Sequence, residues 1–284
     1  MRILLFGHSG QVGRELQRAL RGHELICPER STFDLARPDS LRPLIVRERP
    51  DLLINAAAYT AVDRAEQEAQ LAFAINAEAP AVMAAACAEL GIALIHYSTD
   101  YVFDGHKPAP YLESDTPNPL NIYGASKLAG ERAIASSGCE HLILRTSWVY
   151  ARHGHNFLLT MQRLLQEREQ VRVVDDQIGA PTWAGSIAQA STELITAWQQ
   201  GNRRSGLYHL TCHGETSWFG FARAIGERLR AAGRPCAEIL PIPSSDYPTP
   251  ARRPLNSRLD GRCLAHDWNL RLPHWEEALD ACLG

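Results

Sequence analysis

Ile3-Leu4-Leu5-Phe6, running straight into Gly7-His8-Ser9-Gly10-Gln11-Val12-Gly13, decides how the rest of this chain is read. Four consecutive apolar residues without alternation suit a strand buried on both faces, as in a parallel sheet. The glycines then permit a tight turn, and Arg14-Glu15-Leu16-Gln17-Arg18-Ala19-Leu20 has the spacing of an amphipathic helix. A strand, a glycine turn and a helix N-terminus together form an anion-binding device. Backbone approaches a pyrophosphate closely, and unpaired N–H groups with the positive end of the helix dipole face it. The spacing is Gly-x-x-Gly-x-x-Gly rather than Gly-x-Gly-x-x-Gly, with the same physics.

Outward from this turn the pattern repeats. Glu24-Leu25-Ile26-Cys27 reads as a second strand, closed by Pro28-Glu29-Arg30. In a dinucleotide fold an acid here takes the adenosine ribose hydroxyls, or a base takes a 2′-phosphate. The chain offers both, Glu29 and Arg30, and Asp34-Leu35 follows within reach of an adenine, or as a turn. Leu52-Leu53-Ile54 is a strand ending in Asn55-Ala56-Ala57-Ala58-Tyr59, where small side chains let a flat ligand approach backbone. Ala77–Leu90 is an Ala-rich helix suited to packing on a sheet. Ile92–Tyr97 runs into Ser98-Thr99-Asp100, placing hydroxyls and a carboxylate at a strand's carboxyl end. Leu142-Ile143-Leu144 counts as the sixth strand, leading to Arg145-Thr146-Ser147-Trp148. Six strands alternating with helices over about 150 residues predict an α/β fold. The expected architecture is a Rossmann-type doubly wound parallel sheet over 1–150, with some later segments returning to it. A smaller C-terminal α/β substrate-binding domain is expected over 151–284.

Tyr123-Gly124-Ala125-Ser126-Lys127 lies at the start of a further helical pattern that reaches about Ser137. Residues four apart share a helix face. An ammonium beside a phenol favours phenolate, so this pair is expected to lower the Tyr123 pKa toward the working range of a proton donor. Only two of the 29 basic residues are Lys, at 107 and 127, so position 127 carries an amine in a chain that otherwise uses Arg.

The bulk composition excludes several classes. A net charge of −3 gives no pull toward nucleic acid or an anionic membrane, and 45% apolar with 21% charged residues is ordinary for a globular enzyme. Seven scattered Cys without Cys-x-x-Cys indicate neither a disulfide framework nor a zinc knuckle, which fits a reducing cytoplasm. No apolar run is read as membrane-spanning. The eleven His lack metal-ligand spacing, and His153-Gly154-His155 reads as a polar turn. No Gly-x-Ser-x-Gly marks a serine hydrolase. A non-catalytic binding or regulatory subunit on the same fold is the different-class rival, and the set Thr99, Tyr123 and Lys127 argues against it.

The glycine turn, Asn55-Ala-Ala-Ala, Ser98-Thr99-Asp100 and Tyr123-x-x-x-Lys127 together resemble the extended short-chain dehydrogenase/reductase superfamily, in its nucleotide-sugar branch. Within that branch the chain resembles the dTDP-4-dehydrorhamnose reductase family. Ser-Thr-Asp-Tyr-Val-Phe (98–103), Pro-Leu-Asn-Ile-Tyr-Gly (119–124), Arg-Thr-Ser-Trp-Val-Tyr (145–150), Asp-Gln-Ile-Gly-Ala-Pro-Thr (176–182), Gly-Leu-Tyr-His-Leu (206–210) and Pro-Ala-Arg-Arg-Pro-x-Asn-Ser (250–257) carry that resemblance, in order along the chain. It implies reduction of a sugar C4 ketone by NADPH or NADH, with Tyr123 as proton donor. Lys127 would hold the nicotinamide ribose and tune Tyr123, and Thr99 would bond the carbonyl oxygen. Gly7, Gly10, Gln11, Val12 and Gly13 would meet the pyrophosphate. Glu29, Arg30, Asp34 and Leu35 would meet the adenosine, and Ala57, Ala58 and Tyr59 would follow the cofactor. Asp100 and Trp148 would contact the sugar, and Arg253 and Asn256 the nucleotide diphosphate, unless the Arg ties the tail to the domain by a salt bridge. Some members have an Asp closing the second strand, where this chain has Glu29 followed by Arg30, which implies dual cofactor use with an NADPH lean. Some members dimerise through a magnesium ion held by glutamates. Glu15 is present, but no late Glu follows Glu277, so a magnesium bridge is not expected and either a monomer or a homodimer is admissible. Sister activities in the branch are reduction of another 4-keto-6-deoxy nucleotide sugar, or epimerisation, for which no further acid/base pair is visible.

Overall fold

The computed structural model describes residues 1–29 and 31–284. The expectation placed on Arg30 therefore lies outside the described residues. At the centre is an all-parallel six-stranded sheet. Its strands are β1 (Arg2–Phe6), β2 (Glu24–Ile26), β3 (Leu52–Asn55), β4 (Ala93–Thr99), β5 (His141–Thr146) and, after β6 (Gln170–Val174) outside the sheet, β7 (Gly206–His209). Their order is β7-β5-β4-β3-β1-β2. The chain steps from β1 outward to β2, then crosses to β3 on the other side, so the strand order reverses beside β1. Crevices for ligands form at such a reversal, outside the carboxyl ends of the strands. Gly7, Asn55, Asp100 and Ser147 all follow or close strands at that edge.

The count of six strands over the first 150 residues needs correction. Among the described residues five strands of the central sheet lie there; the short strand Val149–Tyr150 pairs elsewhere, and the sheet's sixth strand, β7, is contributed from beyond residue 200 and pairs in parallel with β5. Gly206-Leu207-Tyr208-His209 is too short and too mixed for periodicity to assign it to one sheet rather than another.

Ile3, Leu4, Leu5 and Phe6 have no exposed surface, as a strand covered on both faces requires. Each such side chain contributes about 1.5–3 kcal/mol. One face is covered by α2 (Leu41–Glu48), α5 (Ala79–Leu90) and α6 (Ile122–Ser136). The other is covered by α1 (Gln11–Ala19) packed against α8 (Ala184–Gln199), so α8 also returns to the first half. β6 pairs in parallel with β8 (Glu238–Ile242), and α7 (Phe157–Glu167) and α9 (Trp218–Ala231) pack with that ribbon.

Ala69–Leu90 corrects a second expectation. This 22-residue stretch contains an 18-residue window of mean hydropathy 1.5 and is long and apolar enough to cross a membrane by length and composition. Here, after the short α3 (Val62–Ala65), it forms α4 (Ala69–Phe73), a π-helical stretch Ala74–Glu78, and α5. The hydropathy comes from alanines, whose small side chains bring the helix close to α6. A Cβ on Gly130 of α6 would stand 2.1 Å from the Asn76 carbonyl oxygen.

Candidate active site

The glycine turn is built for close approach. Gly7 sits at φ +79°, and a Cβ there would lie 2.5 Å from the Ala56 carbonyl carbon and the Ala57 nitrogen. A Cβ on Gly13 would lie 2.1 Å from the Gly7 carbonyl oxygen. Gly10 caps α1 with no side-chain partner, and a Cβ there would approach only the Gly7 oxygen, at 3.3 Å. The first N–H groups of α1 therefore face outward from a backbone cradle, which fits a diphosphate. Gln11 stands at the mouth, its side-chain oxygen accepting from Asn156 Nδ2 at 2.8 Å. Val12 turns inward and packs on the core.

The neighbouring positions divide. Glu29 is exposed at the end of β2. Asp34 closes an Asx turn, accepting from Ala36 N at 2.9 Å and from Arg37 Nε at 3.2 Å, and Leu35 packs on the core. Ala57 and Ala58 follow β3 at the carboxyl edge. Tyr59 is anchored through its backbone to buried Asn76 (N to Oδ1 2.8 Å, O from Nδ2 3.0 Å), and its hydroxyl donates to Glu68. Asn76 also donates to Ser126 Oγ at 3.0 Å, so one amide in the π-helical stretch ties the β3 loop to α6. π-Helical turns are often found at functional sites.

Thr99, Asp100 and Lys127 are buried, and Tyr123 stands half-buried beside them. Asn121 caps α6 by accepting from Gly124 N at 2.8 Å, which fixes where the helix starts and hence which face carries Tyr123 and Lys127. Thr99 Oγ1 donates to Asp100 Oδ1 at 3.2 Å and also accepts from Tyr101 N. Asp100 Oδ2 is buried without a partner. Burial pushes the Asp100 carboxyl up to about 6, against hydrogen bonds from Ser257 and Thr99.

The expected lowering of the Tyr123 pKa is not found. Burial pushes the phenol up to about 12, the hydrogen bond with Thr99 works against this, and the Asp100 charge adds to it. The reason is where Lys127 points. Its Nζ lies 2.7 Å from the Tyr97 carbonyl oxygen and 3.0 Å from His96 Nε2, toward β4 rather than onto the phenol. Burial brings the amine down to about 8, with Glu131 acting the other way. Spacing of four puts two side chains on one face but does not choose their partners.

Trp148 has φ +48°, left-handed for a bulky residue, and its ring stacks on Trp218 at 3.6 Å and 9°. A Cβ on Gly179 would fall 2.6 Å from the Trp148 ring. Trp218 Nε1 donates to Gln177 Oε1 at 3.2 Å. Trp218 reads from sequence as one more apolar helix residue beside Phe221. Its place at the first residue of α9, directly after the Ser217 cap, is the only local sign of another role.

The tail residues also divide. Arg253 pairs with Asp63 at 2.7 Å, the salt bridge between tail and domain. Asn256 is spent inside the protein. Its amide donates to Lys107 O and Ala109 O, and its oxygen accepts from Arg258 N and Nε at 3.1 and 2.8 Å. A side chain with every hydrogen-bonding direction used cannot also grip a diphosphate, so Asn256 is a strap for the 107–109 loop. Glu15 binds Arg18 and His153, each at 2.9 Å, and among the described residues no group of three His, Cys, Asp or Glu is placed to hold a metal.

The whole chain, residues 1–284, matches the model of the RmlD substrate binding domain. The chain belongs to this family. Among its relatives, the dTDP-4-dehydrorhamnose reductase of Burkholderia thailandensis is 48% identical over all of this chain and 98% of its own. The Escherichia coli K12 protein of the same name is 46% identical, covering 100% and 97%. The crystal structure of the Bacillus anthracis dTDP-4-dehydrorhamnose reductase in complex with NADP superposes with a TM-score of 0.91 at 35% identity, covering 99% and 98%. The fold thus agrees with that of a dTDP-4-dehydrorhamnose reductase solved in complex with NADP. His96, Asn76 and Trp218 are residues of this site that sequence reading did not single out, and Asn55 was quoted only as the start of a motif, with no role of its own.

Proposed function

We propose that the chain is an NADPH-dependent reductase that converts the C4 ketone of dTDP-4-dehydro-L-rhamnose to the alcohol of dTDP-L-rhamnose. The observation that carries this is the convergence of Thr99, Tyr123 and Lys127 at the carboxyl edge of the sheet, beside a glycine cradle that fits a dinucleotide diphosphate. The reduced nicotinamide, when bound, supplies the hydride. Tyr123 gives its phenolic proton to the carbonyl oxygen as charge develops there, and Thr99 donates a hydrogen bond to the same oxygen. A phenol held up to about 12 is fully protonated at neutral pH, so the acid form is present before each turnover. Lys127, one helical turn on and turned toward β4, orients the ribose and exchanges protons behind Tyr123.

In this reading Gly7, Gly10, Gln11, Val12 and Gly13 take the diphosphate, Glu29 and Leu35 border the adenosine, and Ala57, Ala58 and Tyr59 line the path to the nicotinamide. Asp100 contacts the sugar from below, and the Trp148–Trp218 stack offers it an apolar wall. Arg253, already held by Asp63, faces the nucleotide diphosphate. The division of labour is cofactor binding by 1–150, helped by β7 and α8, and mainly substrate binding by 151–284. All these groups come from one chain, as a monomer or as a homodimer, working in the cytoplasm.

The decisive assay is loss of reduced-nicotinamide absorbance with dTDP-4-dehydrorhamnose, wild type beside Tyr123→Phe. Substrate-dependent oxidation by the wild type alone is the expected result. No oxidation by the wild type refutes the activity, and full activity in the variant refutes the role of Tyr123.

A further inference from the structure

Beneath Tyr123 lies a chain of buried hydrogen bonds whose donors and acceptors can be counted. Asn55 closes β3, and its Oδ1 accepts from the Ala57 backbone N–H at 3.1 Å. A backbone N–H can only donate, so this bond sets the amide's orientation. Asn55 Nδ2 is then directed at His96 Nδ1, 3.0 Å away. The Asn55 amide nitrogen also only donates, so Nδ1 must accept. A neutral imidazole with an accepting Nδ1 carries its proton on Nε2. That nitrogen lies 3.0 Å from Lys127 Nζ. An ammonium there would bring donor against donor, whereas an amine offers a lone pair. The same nitrogen keeps a proton to give to the Tyr97 carbonyl oxygen at 2.7 Å.

We propose that His96, locked by Asn55 as the Nε2–H tautomer, is a positioning residue that donates to the Lys127 nitrogen and keeps this lysine a proton-exchanging base rather than a fixed cation. The direction agrees with burial, which brings Lys127 down to about 8 and, with a smaller contribution from the charge at Lys127, holds His96 well below the usual histidine range. The groups facing Lys127 are accounted for from each packed element. β4 contributes His96 and the Tyr97 carbonyl, and β3 reaches it through Asn55. α6 contributes Glu131, whose carboxylate is already held by Arg145 of β5 and by Ser98. Tyr123 and Asp100 lie on the catalytic side and are both pushed toward their neutral forms. Among the described residues, therefore, no free anion calls for a permanent cation at 127. Arg could not serve here, because a guanidinium has no lone pair to accept from His96.

The inference deepens the reductase reading and rests on it only for its consequence in turnover. Its first test needs no activity. Lysine labelled with ¹³C at Cε gives two signals, from Lys107 and Lys127, and Lys107→Arg leaves one. In the wild type without added nucleotide, Lys127 is expected to titrate at or below about 8. In His96→Gln the side-chain oxygen can turn to accept from an ammonium, and the midpoint is expected to rise by about one unit or more. Asn55→Asp presents an acceptor to Nδ1, so ¹⁵N spectra of His96 are expected to switch from Nε2–H to Nδ1–H. The basic limb of the pH profile of kcat/KM should move up with the lysine in His96→Gln. A wild-type Lys127 midpoint near the ordinary value of about 10.4 overturns the proposal, as does a wild-type His96 protonated at Nδ1. If either variant fails to fold, these two wild-type measurements still decide. An inactive wild type with the expected midpoint would instead sink the reductase assignment while leaving the proton count intact.

Discussion

Helix α6 buries two ionisable side chains one turn apart, and they are handled in opposite ways. Glu131 is closed off: Arg145 grips it with two bonds, at 2.9 and 2.6 Å, Ser98 donates to it, and the Arg145 guanidinium stacks 4.9 Å over Phe103. Lys127, equally buried, meets only uncharged partners, His96 and a backbone oxygen. A paired buried charge has nothing left to exchange and serves the architecture. A buried amine among neutral partners is costly to keep charged, so its proton is loosely held. The same helix thus carries a fixed structural charge at one turn and an exchangeable proton at the turn before it.

The largest effect should come from the chemical side. Tyr123→Phe is expected to lower kcat about 10²–10⁴-fold, the usual worth of a positioned general acid, with an unchanged melting temperature. A loss below tenfold would remove Tyr123 from the chemical set. On the structural side, Glu131→Ala leaves Arg145 buried and unpaired and should cost about 3–5 kcal/mol in urea unfolding. Glu131→Ala with Arg145→Met should recover most of it, and failure to recover would show that the pair holds more than itself.

Asp100 sharpens the contrast through pH. Its carboxyl is raised from 3.8 to about 6, so the folded state holds the proton more tightly than the unfolded one. Its contribution to stability is then full below pH 3.8 and is lost as the pH rises through about 6. The loss is about 3 kcal/mol at roughly 1.36 kcal/mol per unit. Asp100→Asn removes this dependence, so the variant's unfolding free energy should gain on the wild type between pH 4 and 7. Parallel curves would break the assignment. The smallest effect belongs to an exposed bidentate pair, Arg42 with Glu89, whose closest contact is 2.7 Å. Arg42→Ala should change stability by only about 0.2–1 kcal/mol, and less in high salt.

Much of the fold could be read locally. A four-residue apolar run, a glycine turn and an amphipathic helix are short-range signals, and they placed β1, the cradle and α1 correctly. The motif residues Thr99, Tyr123 and Lys127 were named from spacing and resemblance, and they do come together. What spacing could not supply was direction. Lys127 turns to β4, so Tyr123 is raised rather than lowered. Asn256 spends its amide on the 107–109 loop, and Asp34 closes its own turn.

The chain alone therefore determined the parallel α/β class, the glycine turn and the placing of Tyr123 and Lys127 on one helix face, because each depends on residues close in sequence. Tertiary structure alone decided that β7 completes the sheet from beyond residue 200, that Trp218 meets Trp148, and that Asn55 and His96 set the proton state of Lys127. Those outcomes depend on which strands become neighbours. A buried group's charge and hydrogen bonds are fixed by the side chains packed around it, and these come from 41, 31 and 70 residues apart in the chain.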